Sequence, residues 1–111
     1  MTETYLIDSN VLMSFFKRHD ASIALLDTLR KQGILAISAL TIMELQAGWS
    51  DEQAAQLFPD VFDFVEVADV TRDVLQYAGC LRRDYKQNGI VLQAIDTMIA
   101  ATAIKHEMWM V

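Results

Sequence analysis

Tyr5-Leu6-Ile7-Asp8-Ser9-Asn10 is a short apolar run that ends on a carboxylate and opens at once into polar, helix-starting residues. Two later stretches follow the same plan: Ser38-Ala39-Leu40-Thr41-Ile42-Met43-Glu44-Leu45 and Ile95-Asp96-Thr97-Met98-Ile99-Ala100-Ala101-Thr102-Ala103. In a small sheet-and-helix domain, strand ends and the helix starts that follow them gather at one edge. Carboxylates delivered there by Asp8, Glu44 and Asp96, from distant parts of the chain, would then be positioned to share a divalent cation.

Working outward from these stretches, residues 4–8 read as a short buried strand. Val11, Leu12, Phe15 and Phe16 recur at helical spacing from Asn10 to about Arg18. Asp20 reads as a cap for a second helix, faced by Ile23, Leu26 and Leu29 and stopped by Gly33. Residues 34–38 form a second apolar strand, and residues 41 to about 49 a third helix. Residues 51–58 read as a short helix ended by Pro59, and residues 62–67 as a third strand nearer an edge. Val70, Val74, Ala78, Leu81 and Tyr85 mark a long amphipathic helix over 70–87, with Gly89 as its stop. A last helix covers roughly 95–106, and a further apolar strand begins at Met108. Near-continuous apolar runs suit strands covered on both faces, as in a parallel sheet. Strands alternating with helices make this a single α/β domain.

With 111 residues and 53% hydrophobic composition, the chain has material for one core. A single cysteine, Cys80, permits no internal disulfide and suits a reducing interior. The start, Met1-Thr2-Glu3-Thr4, has neither a basic n-region nor a long apolar h-region. No apolar run approaches the roughly 20 residues that cross a bilayer. The expectation is a soluble, cytoplasmic domain. A formal charge of −6 speaks against passive coating of nucleic acid, because few phosphates would be neutralised. It leaves room for an enzyme that grips phosphate through bound metal.

Each acid also has a purely structural explanation. Asp8 suits an N-cap, Thr41 with Glu44 fits a capping box, and Asp96 suits the positive end of a helix dipole. Together they are harder to explain that way. Two carboxylates about 5 Å apart repel by about 3 kcal/mol at an effective dielectric near 20, whereas a helix dipole returns only about 0.3–1 kcal/mol to each. If the three converge, a cation is needed, and oxygen-only ligands favour Mg²⁺ or Mn²⁺ over zinc.

Leu6-Ile7-Asp8-Ser9-Asn10-Val11-Leu12, Ile37-Ser38 through Glu44-Leu45-Gln46-Ala47-Gly48, and Asp96 through Ala103 resemble the signature blocks of PIN-domain ribonucleases, in particular the VapC-type toxins of bacterial toxin–antitoxin pairs. The resemblance runs in register over essentially the whole chain, residues 1–111. It implies a three-layer α/β/α, Rossmann-like fold with a small parallel sheet, an acidic Mg²⁺ or Mn²⁺ site and single-stranded RNA as substrate. By the same match Asp8, Glu44 and Asp96 become metal-site and catalytic acids. Ser9 and Asn10 become neighbours that order water or a ligand oxygen. An antitoxin protein and a second copy of the chain, as in a homodimer, are the implied partners, and cleavage would leave a 5′-phosphate and a 3′-hydroxyl. One departure stands out. The family usually continues past its last helix through a strand into a Thr-x-Asn-x-x-Asp-Phe block bearing a fourth acid, whereas this sequence ends at Met110-Val111, inside that strand. Lack of that acid would weaken metal binding, particularly of a second ion.

In a hydrolytic mechanism, Asp8 and Asp96 are expected as direct or water-mediated ligands, with Glu44 orienting or deprotonating the attacking water. The competing reading is an interaction module that keeps the fold without full metal competence. A third is phosphoryl transfer on Asp8, for which the dehalogenase-like pattern wants a second Asp where this chain has Asn10. His19 and His106 lack a second ligand at metal spacing and read as surface or packing residues. Cys80 reads as a packing residue. Arg82, Arg83 and Lys86 cluster on one helix, either as a solvated face or as phosphate contacts. Phe15, Phe16, Trp49 and Phe58 are core candidates, some with the option of lining a partner groove.

Overall fold

A computed structural model describes residues 2–111. Its elements run β1 (Glu3–Leu6), α1 (Ser9–Phe16), α2 (Asp20–Gln32), β2 (Gly33–Ser38), α3 (Ala39–Gly48), α4 (Asp51–Phe64), β3 (Glu66–Ala68), α5 (Arg72–Gln87), α6 (Ala94–Lys105) and β4 (Trp109–Met110). The strands form one four-stranded parallel sheet in the order β3-β2-β1-β4. Parallel neighbours require crossover connections, which the helices supply.

Alternation along the central strands sorts the helices into two layers. Ile7, Leu35 and Ile37 face a cluster with Leu12 of α1, Leu26 of α2, Leu45 of α3 and Val61 of α4. Leu6 and Ala36, one residue out of phase, face Ile99 and Ala103 of α6. Val74 and Ala78 of α5 then pack on Ala101 of α6. The expected three-layer α/β/α arrangement is what the chain adopts. Chain order moves from β1 through β2 to β3 on one side, and β4 returns on the other side of β1. The order therefore reverses between β1 and β4, and ligands of such sheets bind outside the strand carboxyl ends at that point.

Several boundaries differ from the sequence reading. Helix α4 does not stop at Pro59 but runs through it to Phe64. Phe58 and Phe62, four residues apart, stack with ring centroids 5.5 Å apart, while Phe64 stacks on Phe15 of α1 at 5.1 Å. One-turn spacing of the aromatic rings favours helix over the alternation read at 62–67, so β3 shrinks to Glu66–Ala68. Helix α3 begins at Ala39, capped by Ser38, whose side chain accepts from the Leu40 amide at 3.1 Å. Thr41 and Glu44 are consequently not a capping box. The capping box of this chain is Ser50 with Gln53. Asp20 lies in the first turn of α2, whose cap position is His19. Cys80, expected as a packing residue, is exposed.

Candidate metal and nucleic-acid site

Register places the carboxyl ends of the central strands level with one another: Leu6 lies opposite Ala36 on one side and Met110 on the other. Just beyond, the Ile7 amide donates to the Ala36 carbonyl at 2.8 Å, and the Asp8 amide donates to the Val111 carbonyl at 3.2 Å. Asp8 is thus held in the mouth between β2 and β4. It is the N-cap of α1, and its Oδ2 accepts from the Asn10 amide at 3.0 Å. The structural role considered for Asp8 is therefore real, but it engages one carboxylate oxygen only. Ser9 is buried beside it, and Asn10 is exposed.

Glu44 lies in the second turn of α3, on a helix that starts at the same edge. Leu40, one turn earlier, packs against the cluster of Leu6, Ala36, Ile99 and Ala103. Residues four apart share a helix face, so Glu44 projects along the side of α3 that adjoins α6. Glu44 Oε1 and Thr41 Oγ1 are both buried without a hydrogen-bond partner. A buried carboxylate oxygen without a donor is costly, on the order of 1–3 kcal/mol or more for a charged group. Its cheapest complement is a cation or an ordered water.

Asp96 occupies the first turn of α6, whose cap residue Gln93 makes no side-chain capping bond. Its neighbour Ile95 packs against the same cluster as Leu40, which draws the starts of α3 and α6 together. Asp96 itself is exposed and lines a groove of about 420 Å³ between α5 and α6, together with Leu81, Tyr85, Gln93 and Thr97. The three acids share the carboxyl edge of the sheet. Among the described residues, however, no three Asp, Glu, His or Cys side chains stand close enough to grip one ion.

The donor chemistry suits a hard divalent ion. Every candidate atom is an oxygen, and one of them, Glu44 Oε1, lacks any partner. Helices α1, α3 and α6 aim their positive ends at this edge, which also favours an anionic phosphate there. Sequence reading did not single out the buried, unpartnered Thr41 hydroxyl, because its spacing to Glu44 looked like capping. The signal that separates the two is Ser38, itself a good cap directly after the apolar run.

The chain matches the PIN domain family model over residues 5–109 and belongs to that family. It is 29% identical over 105 residues to ribonuclease VapC2 of Rickettsia felis, covering 90% of this chain and 78% of the relative. To ribonuclease VapC19 of Mycobacterium tuberculosis it is 33% identical over 100 residues, covering 89% and 79% respectively. Among solved structures it resembles the VapBC2 complex of Rickettsia felis bound to a DNA fragment from its promoter, with a TM-score of 0.81 and 27% identity over 96% of this chain and 84% of the other. No helix among the described residues is long and apolar enough to cross a membrane.

Proposed function

We propose that this PIN-domain chain is a metal-dependent endoribonuclease of the VapC kind, acting on single-stranded RNA and restrained by an antitoxin protein. The observation that carries the reading is Glu44, a carboxylate whose buried oxygen has no structural partner and which stands at the edge shared with Asp8 and Asp96. Ribonuclease relatives, of which the match covers 78% and 79%, support the nuclease class, and the VapBC2 complex supports the antitoxin.

Asp8 and Asp96 would hold Mg²⁺ or Mn²⁺, directly or through its water, and Glu44 would reach the ion through water rather than as a third direct ligand. When bound, the ion supplies charge neutralisation at the phosphate and a lowered pKa for water. Asp8, oriented by the Asn10 amide on Oδ2, keeps its other oxygen for a ligand. Glu44 would orient the attacking water and receive its proton as that oxygen bonds to phosphorus and the P–O3′ bond breaks, the departing 3′ oxygen taking a proton from solvent. The starts of α1, α3 and α6 face the phosphate with backbone amides. Single-stranded RNA gives a flexible backbone that can lie across such an open edge.

Cleavage of single-stranded RNA in Mn²⁺ by the unsubstituted chain and by Asp8→Asn tests this. Asn keeps the helix cap while removing the charge. A folded Asp8→Asn protein that cleaves as fast as the parent overturns the assignment. A second reading, an interaction module with impaired catalysis, draws on the spacing of the acids. Calorimetric titration with Mn²⁺ separates them, since a module without metal competence shows no saturable site.

A further inference from the structure

Of the nine Lys and Arg in this acidic chain, Arg82, Arg83 and Lys86 line one concavity of about 330 Å³, walled by Val91 and Leu92. Val91 and Leu92 also wall the adjoining groove that contains Asp96 and Tyr85. The two hollows thus share a wall and form one track along α5, leading to the edge where the acids stand. Arg82 builds that wall: its Nε donates to the Leu92 carbonyl at 3.2 Å, tying the loop after α5 to the helix. Gly89, at a φ of 81°, supplies the left-handed turn that sends this loop back along α5.

The side chains on the track are of two kinds. Arg83 and Lys86 are exposed cations, with Asp84 contacting Arg83 at 3.4 Å across open solvent. Tyr85 and Val91 are large apolar groups left 46% and 80% exposed. Exposed cations alternating with an exposed aromatic suit single-stranded nucleic acid, whose phosphates and base faces need complementary partners. On α2, Arg30 and Lys31 both engage the one carboxylate of Asp27, as Arg83 engages Asp84, whereas Lys86 has no such partner among the described residues. Lys31 first, then Arg30, holds the Asp27 carboxyl below its usual range.

We infer that α5 and the loop at 88–93 carry a second contact region for single-stranded RNA, with Arg83 and Lys86 holding phosphates flanking the cleavage point and Tyr85 stacking on a base. This rests on the nuclease reading and names the positioning residues for its substrate. Arg82 acts through the loop that it holds.

The test is fluorescence anisotropy of a labelled, mixed-sequence single-stranded RNA of about twelve nucleotides, titrated with Asp8→Asn protein in EDTA across a salt series. The double variant Arg83→Ala/Lys86→Ala, made in the Asp8→Asn background, is expected to bind about tenfold more weakly. Its salt dependence should flatten by about 1.4 in the logarithmic slope, from the loss of two phosphate contacts. Tyr85→Ala should weaken binding about tenfold and Tyr85→Phe scarcely at all, because the ring is what stacks. Arg30→Ala/Lys31→Ala should stay within about twofold of the parent. Saturable binding by the parent that survives within twofold in the Arg83/Lys86 and Tyr85 variants overturns the track and leaves the nuclease reading standing. Absence of saturable RNA binding by the parent in EDTA also overturns the track, whereas the nuclease reading stands or falls on the Mn²⁺ cleavage assay with Asp8→Asn.

Discussion

Thr41 and Glu44 lie three residues apart on one face of α3, and each buries a side-chain oxygen that no neighbour satisfies. A pairing made for stability would satisfy at least one of them, since unmet buried polar groups are rare and costly. Replacing Glu44 by Gln keeps the shape and removes the charge. We expect Glu44→Gln to unfold no more easily than the parent in metal-free buffer, with a gain of about 1 kcal/mol as a reasonable size. RNA cleavage should fall by at least about a hundredfold, the usual scale for losing a positioned acid or base. Urea denaturation and a cleavage assay on the same preparation check the two halves. Lower stability with full activity would return Glu44 to a structural role.

Ser38 and Thr41 offer a cleaner separation of capping from site chemistry. Ser38→Ala removes the acceptor for the Leu40 amide and should cost about 1 kcal/mol, within the range for lost N-caps. Thr41→Val removes a hydroxyl that bonds nothing, and should be neutral or mildly stabilising. Had Thr41 and Glu44 formed the capping box, the order would be reversed. Thermal unfolding of the two variants side by side decides it.

Divalent metal should stabilise the folded chain, because the unfolded chain has no such site. At a Mn²⁺ concentration about a hundredfold above its Kd, linkage gives about 2.7 kcal/mol, or a Tm rise on the order of 10 °C for a domain of this size. Asp8→Asn should abolish most of that rise while leaving the metal-free Tm close to the parent's, since Asn also caps helices. Differential scanning fluorimetry with and without Mn²⁺ measures both. An equal rise in parent and variant would place the ion elsewhere.

The sheet and the order of the helices were legible because both follow from local chemistry, although α2 and α3 start earlier than their cap signals suggested. Apolar runs such as Leu6-Ile7 and Leu35-Ala36-Ile37 lie between two helical layers, so they lack polar alternation. The same reasoning puts the starts of α1, α3 and α6 toward the strand ends, while among the described residues Asp8, Glu44 and Asp96 do not gather into one cluster. What sequence could not convey was the orientation of each side chain there: Glu44 is turned inward and Asp96 outward toward α5. The end of α4 departs from the sequence reading because Pro59 is a strong local breaker, whereas the packing of Phe58 on Trp49 and of Phe64 on Phe15 is a tertiary effect that outweighs it. Pro removes one helical hydrogen bond and crowds the preceding turn; packed aromatic rings on either side offset that.

Gly33 and Gly79 should respond to alanine in opposite directions. Gly33 opens β2 opposite Glu3, and a Cβ there would run into the Glu3 carbonyl oxygen and crowd the Tyr5 ring. Its own backbone is extended, at a φ of −175°, so the constraint is the closeness of β1 rather than the torsion. Gly33→Ala must therefore push the strands apart, at a cost of about 1–3 kcal/mol by analogy with overpacked cores. Gly79 sits in the middle of α5, where an added Cβ meets nothing within 4 Å. Gly79→Ala should stabilise by up to about 1 kcal/mol, through helix propensity and a less flexible unfolded chain. Urea titrations of the two variants should bracket the parent, with unchanged slope. If Gly33→Ala matched the parent, the tight β1–β2 approach would not be part of what fixes the sheet, and with it the position of Asp8.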